Sequence, residues 1–124
     1  MRLVPTTAAL MASLSLAACT TGPSEFSDPA VPIEVKVGEE FALVLESNAT
    51  TGYRWTLAAG LETSIVRLLI TEYRAGNSGG LVGAGGKEYW RFGAEGRGTT
   101  LIPMSYTREG GPPANTAIFT VTVK

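Results

Sequence analysis

From residue 33 to the end of the chain, apolar and polar positions alternate with a period of two, run after run. Ile33, Val35 and Val37 are separated by Glu34 and Lys36; Phe41, Leu43 and Leu45 follow, then Tyr53, Trp55 and Leu57. Val66, Leu68 and Ile70 continue the pattern, as do the aromatic stretch from Tyr89 to Phe92, then Ile102, Met104 and Tyr106, and finally Phe119, Val121 and Val123. Successive side chains of a strand point to opposite sides, so the alternation predicts strands with one buried face each. Gly38 and the segments 48–52, 76–86, 93–98 and 110–115 hold the turn formers that separate the runs. The stretch 57–65 has room for one helical turn, and no stripe of 3.6-residue period is present.

About seven short strands in about 90 residues predict an all-β fold, an immunoglobulin-like antiparallel β-sandwich. The chain has one cysteine, so no intrachain disulfide joins the two sheets. Trp55, Trp90, Phe41, Phe92 and Phe119 are the large side chains expected to fill the space between them, with Leu43, Met104 and Val121 also facing inward.

Composition narrows the chemistry. At 124 residues the chain holds one small domain, and 10 basic against 11 acidic residues leave a formal net charge of −1. A nucleic-acid partner calls for a basic face, so none is expected. Histidine is absent, which removes serine–histidine and cysteine–histidine nucleophile pairs and imidazole metal ligands. The glutamates are scattered, with no pair spaced for acid–base work. No enzyme, metal or cofactor is expected.

The first 18 residues have the layout of a secretory signal: Arg2, an apolar stretch from Leu3 to Leu16 shorter than a bilayer span, then small residues. Leu16-Ala17-Ala18-Cys19 resembles a bacterial lipobox, which implies cleavage before Cys19 and a diacylglycerol on its thiol. Residues 19–32, with Gly22, Pro23, Pro29 and Pro32, then read as a flexible tether, and 33–124 as the domain. Thr20, where an aspartate would signal inner-membrane retention, points to the outer membrane of a bacterial cell envelope, facing the periplasm or the surface.

Three loops carry the remaining signals. Asn48-Ala49-Thr50-Thr51-Gly52-Tyr53 (loop 1) combines residues that tolerate left-handed backbone with hydroxyls that bond locally, so a tight, self-braced turn is expected. Leu81-Val82-Gly83-Ala84-Gly85-Gly86 (loop 2) is glycine-rich but leads into a strand pattern, not the helix a phosphate cradle needs. Its apolar Leu81 and Val82 suit a contact surface. Arg108-Glu109-Gly110 (loop 3) follows a strongly patterned strand.

Taken in order, Asn-Ala-Thr-Thr-Gly-Tyr, Gly-Ala-Gly-Gly and Tyr-Thr-Arg resemble the three loop motifs of the chagasin-like family of inhibitors of papain-like cysteine peptidases. The resemblance spans about residues 33–124. Ala49 replaces a proline of the first motif, Gly83 to Gly86 match the second, and the third is matched only at Arg108, because Glu109 and Gly110 stand where the family has proline and tryptophan. The resemblance implies an immunoglobulin-like sandwich that acts as a monomer and inhibits reversibly, without a covalent bond. The three loops would form a wedge in the peptidase cleft, with Thr50, Thr51 and Gly52 over the catalytic cysteine and the other two loops on the rims. The alternative is a surface lipoprotein that binds or scaffolds without inhibiting, through a sheet face or edge.

Overall fold

A computed structural model describes residues 22–76 and 85–124. Eight strands form two four-stranded sheets: β1 (Ser24–Phe26), β2 (Ile33–Val35), β3 (Glu40–Ser47), β4 (Tyr53–Leu57), β5 (Val66–Ala75), β6 (Gly86–Ala94), β7 (Gly98–Arg108) and β8 (Asn115–Val123). The first sheet has the order β1-β3-β6-β5 and the second β2-β8-β7-β4. This is the expected sandwich, with two departures in pairing: β1 lies parallel to β3, and β2 parallel to β8.

The alternation predicted the core well. Phe41, Leu43, Phe92, Ile102, Met104 and Phe119 are fully buried, and Trp55, Trp90 and Val121 are buried with them. Phe41 and Phe92 are direct cross-strand partners, with ring centroids 5.4 Å apart. Such pairs on the inner face of a sheet are where strand pairing and hydrophobic burial reinforce each other.

The departures have physical causes. Ile70, read as in phase with Val66 and Leu68, is 51% exposed, because the β5–β6 register slips between Leu68 and Ile70 and shifts every later side chain to the other face. Val37 is 48% exposed because β2 ends at Val35 and the chain turns through Gly38. The helical turn allowed between 57 and 65 is present as one hydrogen-bonded turn, with Val66 N–H donating to the Glu62 carbonyl at 3.0 Å.

An eighth strand, β1, falls in the segment read as tether. Ser24 to Phe26 pair with Phe41 to Leu43, and Phe26 sets its ring edge-on to Phe41 at 6.5 Å. A turn at Asp28, whose carbonyl accepts from Val31 N–H at 3.0 Å, then passes the chain to β2 in the other sheet. One apolar residue among polar and proline-rich neighbours, too short to show any period, is enough to dock this strand. Cys19 and residues 1–18 lie outside the described residues.

Candidate functional site

Register places loop 1, loop 3 and the described end of loop 2 at one pole. Ser47, the last residue of β3, pairs with Gly86, the first of β6, so the end of loop 2 abuts the start of loop 1. Tyr53, the first residue of β4, pairs with Arg108, the last of β7, so the end of loop 1 abuts loop 3. Loop 1 is therefore the bridge from the first sheet to the second, flanked by Gly86 on the first sheet and by loop 3 on the second. Of loop 2, Gly85 and Gly86 are described; Leu81, Val82, Gly83 and Ala84 lie outside the described residues. Gly86 has to be glycine: a Cβ there would run into the Arg74 carbonyl oxygen and the Tyr73 hydroxyl.

Loop 1 is braced from within. Residues Ala49–Thr51 make a single 3₁₀ turn with Asn48 as its N-cap. Asn48 Oδ1 accepts from Thr50 N–H at 3.1 Å and from the Thr50 hydroxyl at 2.6 Å. The Asn48 carbonyl accepts from Thr51 N–H at 3.1 Å and from the Thr51 hydroxyl at 2.7 Å. Gly52 closes the turn at φ +85°, ψ −3°, with its N–H on the Ala49 carbonyl at 3.2 Å. This left-handed conformation is the geometric reason for glycine at position 52. Tyr53 N–H donates back to Thr51 Oγ1 at 3.4 Å. The threonine hydroxyls bond locally, as expected, both to Asn48, and the N–H groups from Thr50 to Tyr53 are bonded inside the loop. Residues 49–52 are the exposed part of the turn.

Below the loop stands an aromatic column. Tyr53 stacks on Tyr106 at 5.3 Å, and Tyr106 packs on Trp55 at 5.1 Å. The Tyr106 hydroxyl reaches up to accept from Asn48 N–H at 2.9 Å, and Trp55 Nε1–H crosses to the first sheet to donate to the Glu46 carbonyl at 2.9 Å. Arg108 lies over the Tyr53 ring at 5.1 Å, a cation–π arrangement, and its stem is 3.4 Å from where a Cβ on Gly52 would sit. Loop 3 closes as a tight turn, with Gly111 N–H on the Arg108 carbonyl at 2.9 Å and Gly110 at φ +77°, leaving Glu109 and Gly110 exposed.

Glu88 was missed by the sequence reading. Its carboxylate accepts from Ser47 Oγ at 2.7 Å, from Trp55 N–H at 3.1 Å and from Trp90 Nε1–H at 3.1 Å. The signal was there: Glu88 is in phase with Trp90 and Phe92, so the alternation itself puts a carboxylate on the inward face. On β5, the hydrogen bond from Arg74 Nε to Glu72 at 3.1 Å holds the Glu72 carboxyl below its usual range and raises Arg74; both are exposed. Among the described residues there is no group of three or more acidic or cysteine side chains placed to hold a metal ion.

The sandwich lifts one preformed turn, braced by hydrogen bonds among its own residues, at the pole where β3 passes to β4. Residues 34–123 match the model of the chagasin family of peptidase inhibitors, I42. Chagasin of Trypanosoma cruzi is 33% identical over 96 residues, covering 74% of this chain and 86% of that protein. The cysteine protease inhibitor EhICP2 of Entamoeba histolytica shares the fold with a TM-score of 0.64 at 20% identity, over 83% of this chain and all of that one. PbICP-C, solved in complex with falcipain-2, shares it with a TM-score of 0.57 at 23% identity, over 90% and 96% of the two chains. The chain belongs to the chagasin family of peptidase inhibitors; it is an inhibitor and not an enzyme.

Proposed function

We propose that this protein inhibits papain-like cysteine peptidases reversibly by seating loop 1 over the catalytic cysteine, with loop 2 and the Arg108–Gly110 turn on the rims of the cleft. The observation that carries the reading is the internal bracing of loop 1 at the pole it shares with loop 3. A turn already held by Asn48, Thr51 and Gly52 loses little conformational entropy on docking. Its 3₁₀ backbone gives the nucleophile no extended peptide to cut. Its exposed residues 49–52 are free of regular strand pairing, so they can enter a cleft that supplies hydrogen-bond donors, as peptidase active sites do. Two of the structural relatives support the target class in their own right: one is a cysteine protease inhibitor, and the other is seen bound to falcipain-2.

Protection of the target's thiol tests the mode. Papain saturated with the protein and treated with iodoacetamide should keep its active-site cysteine unalkylated, and should recover activity and native mass on dissociation. Alkylation at the rate of free papain would contradict the reading.

We also propose that Cys19 anchors the protein by lipid in the outer membrane. The support is the Leu16-Ala17-Ala18-Cys19 motif together with topology: Ser24 pairs with Phe41, near the start of β3 and opposite the loop pole. Cys19 precedes Ser24 by five residues, a reach of about 17 Å at most. An anchor there holds the wedge pointing away from the membrane. Cys19→Ser should move the protein out of the membrane fraction; an unmodified Cys19 thiol in membrane-bound protein would contradict it.

A further inference from the structure

We propose that Glu88 is the positioning residue of the inhibitory loop, and that only an acceptor-only group can fill its place. This rests on the reading of loop 1 as the inhibitory element. Loop 1 leaves the first sheet at Ser47 and enters the second at Tyr53, so its shape depends on how far apart two separate sheets stand at that pole. A single oxygen, Glu88 Oε2, accepts from Ser47 Oγ on one stem at 2.7 Å and from Trp55 N–H on the other at 3.1 Å. Both stems are thereby tied to one point. The second oxygen accepts from Trp90 Nε1–H at 3.1 Å, which fixes the rotation of the carboxylate.

All three partners donate. Of these, a backbone N–H and an indole N–H cannot reverse polarity; only the Ser47 hydroxyl can turn to accept. Glutamine, nearly the same shape, sets its NH₂ against Trp90 Nε1–H in one orientation and against Trp55 N–H in the other. Either mismatch forces the stems apart or turns the side chain out. Hydrogen bonds to a charged acceptor are also about twice as strong as neutral ones, so the tie is stiff as well as specific.

The test compares Glu88→Gln, Trp90→Phe and their combination in the whole protein, at a temperature where circular dichroism shows each one folded. Trp90→Phe removes the indole donor, which lets a glutamine turn its NH₂ to that side and offer its oxygen to Ser47 and Trp55. Glu88→Gln should raise the inhibition constant against papain about tenfold. The combination should return close to Trp90→Phe alone, a rescue that simple loss of stability would not produce. Amide exchange at Thr51 and Gly52, read by NMR, should quicken in Glu88→Gln and slow again in the combination. Parent-like inhibition and exchange in Glu88→Gln would overturn the proposal. If the combination does not fold, Ser47→Ala carries the test: non-additive effects with Glu88→Gln support the shared tie, and additive ones overturn it. If the parent does not inhibit papain but exchange at Thr51 and Gly52 still follows Glu88, the inhibitory reading fails and the positioning role stands.

Discussion

Gly52→Val perturbs loop 1 at the point where its backbone is least tolerant. Gly52 sits at φ +85°, ψ −3°, and an L-residue there costs about 1–2 kcal/mol, more when β-branched. A Cβ would stand 3.4 Å from Arg108 Cδ and 3.6 Å from Cγ, ordinary contact distances against a flexible stem, so the first carbon adds little. Valine's two further methyl carbons crowd the same stem, which Arg108 needs in order to lie over Tyr53. Relaxing φ instead would swing Tyr53, the first residue of β4, away from its partner Arg108 on β7. Strain of about 2 kcal/mol, borne whenever the loop takes its binding shape, corresponds to roughly a thirtyfold weaker inhibitor. Gly52→Asn should lose much less, since asparagine visits the left-handed region. Thr50→Ala gives up one hydroxyl bond to Asn48 and should also lose less than Gly52→Val. The assay is titration of papain's peptide hydrolysis, with urea unfolding to show that each variant is folded. Valine tolerated as well as asparagine would refute the conformational reasoning.

Two further predictions concern the column beneath the loop. Tyr106→Phe keeps the stacking on Tyr53 and Trp55 but leaves Asn48 N–H without the hydroxyl it bonds, and should lower the unfolding free energy by about 1–2 kcal/mol; an unchanged urea midpoint would contradict it. Trp55→Ala deletes a buried ring that closes the loop pole and should cost about 3–5 kcal/mol in the same experiment, and a loss below about 1 kcal/mol would mean that the ring does not bridge the sheets.

Strand pattern, core and loop order were legible because each depends on side-chain period and turn chemistry, both local in sequence. The slip in β5 was not, because an extra residue such as Leu69 looks like any other apolar position until its partner strand is known. β1 escaped because three residues are too few to establish a period. In the site, the glycine at 52 and the asparagine–threonine bracing were readable from residue type. The direction of Arg108 and the role of Tyr106 were not, since both follow from the pairing of β4 with β7, which joins residues about 50 positions apart. Glu88 was readable in principle, as a charge in phase with two buried aromatics. Residue type argues the other way, because a charged residue in a strand usually marks the solvent face.

The most direct test of the central claim is a titration of papain with the purified protein beside a variant carrying Thr51→Asp and Gly52→Val, both shown to be folded. The parent should inhibit to completion at a fixed stoichiometry, and the variant should inhibit at least a hundredfold more weakly, since it combines backbone strain with a charge placed in the turn. Equal inhibition by the two would contradict the wedge account, and no inhibition by the parent at micromolar concentration would contradict papain-like peptidases as its target.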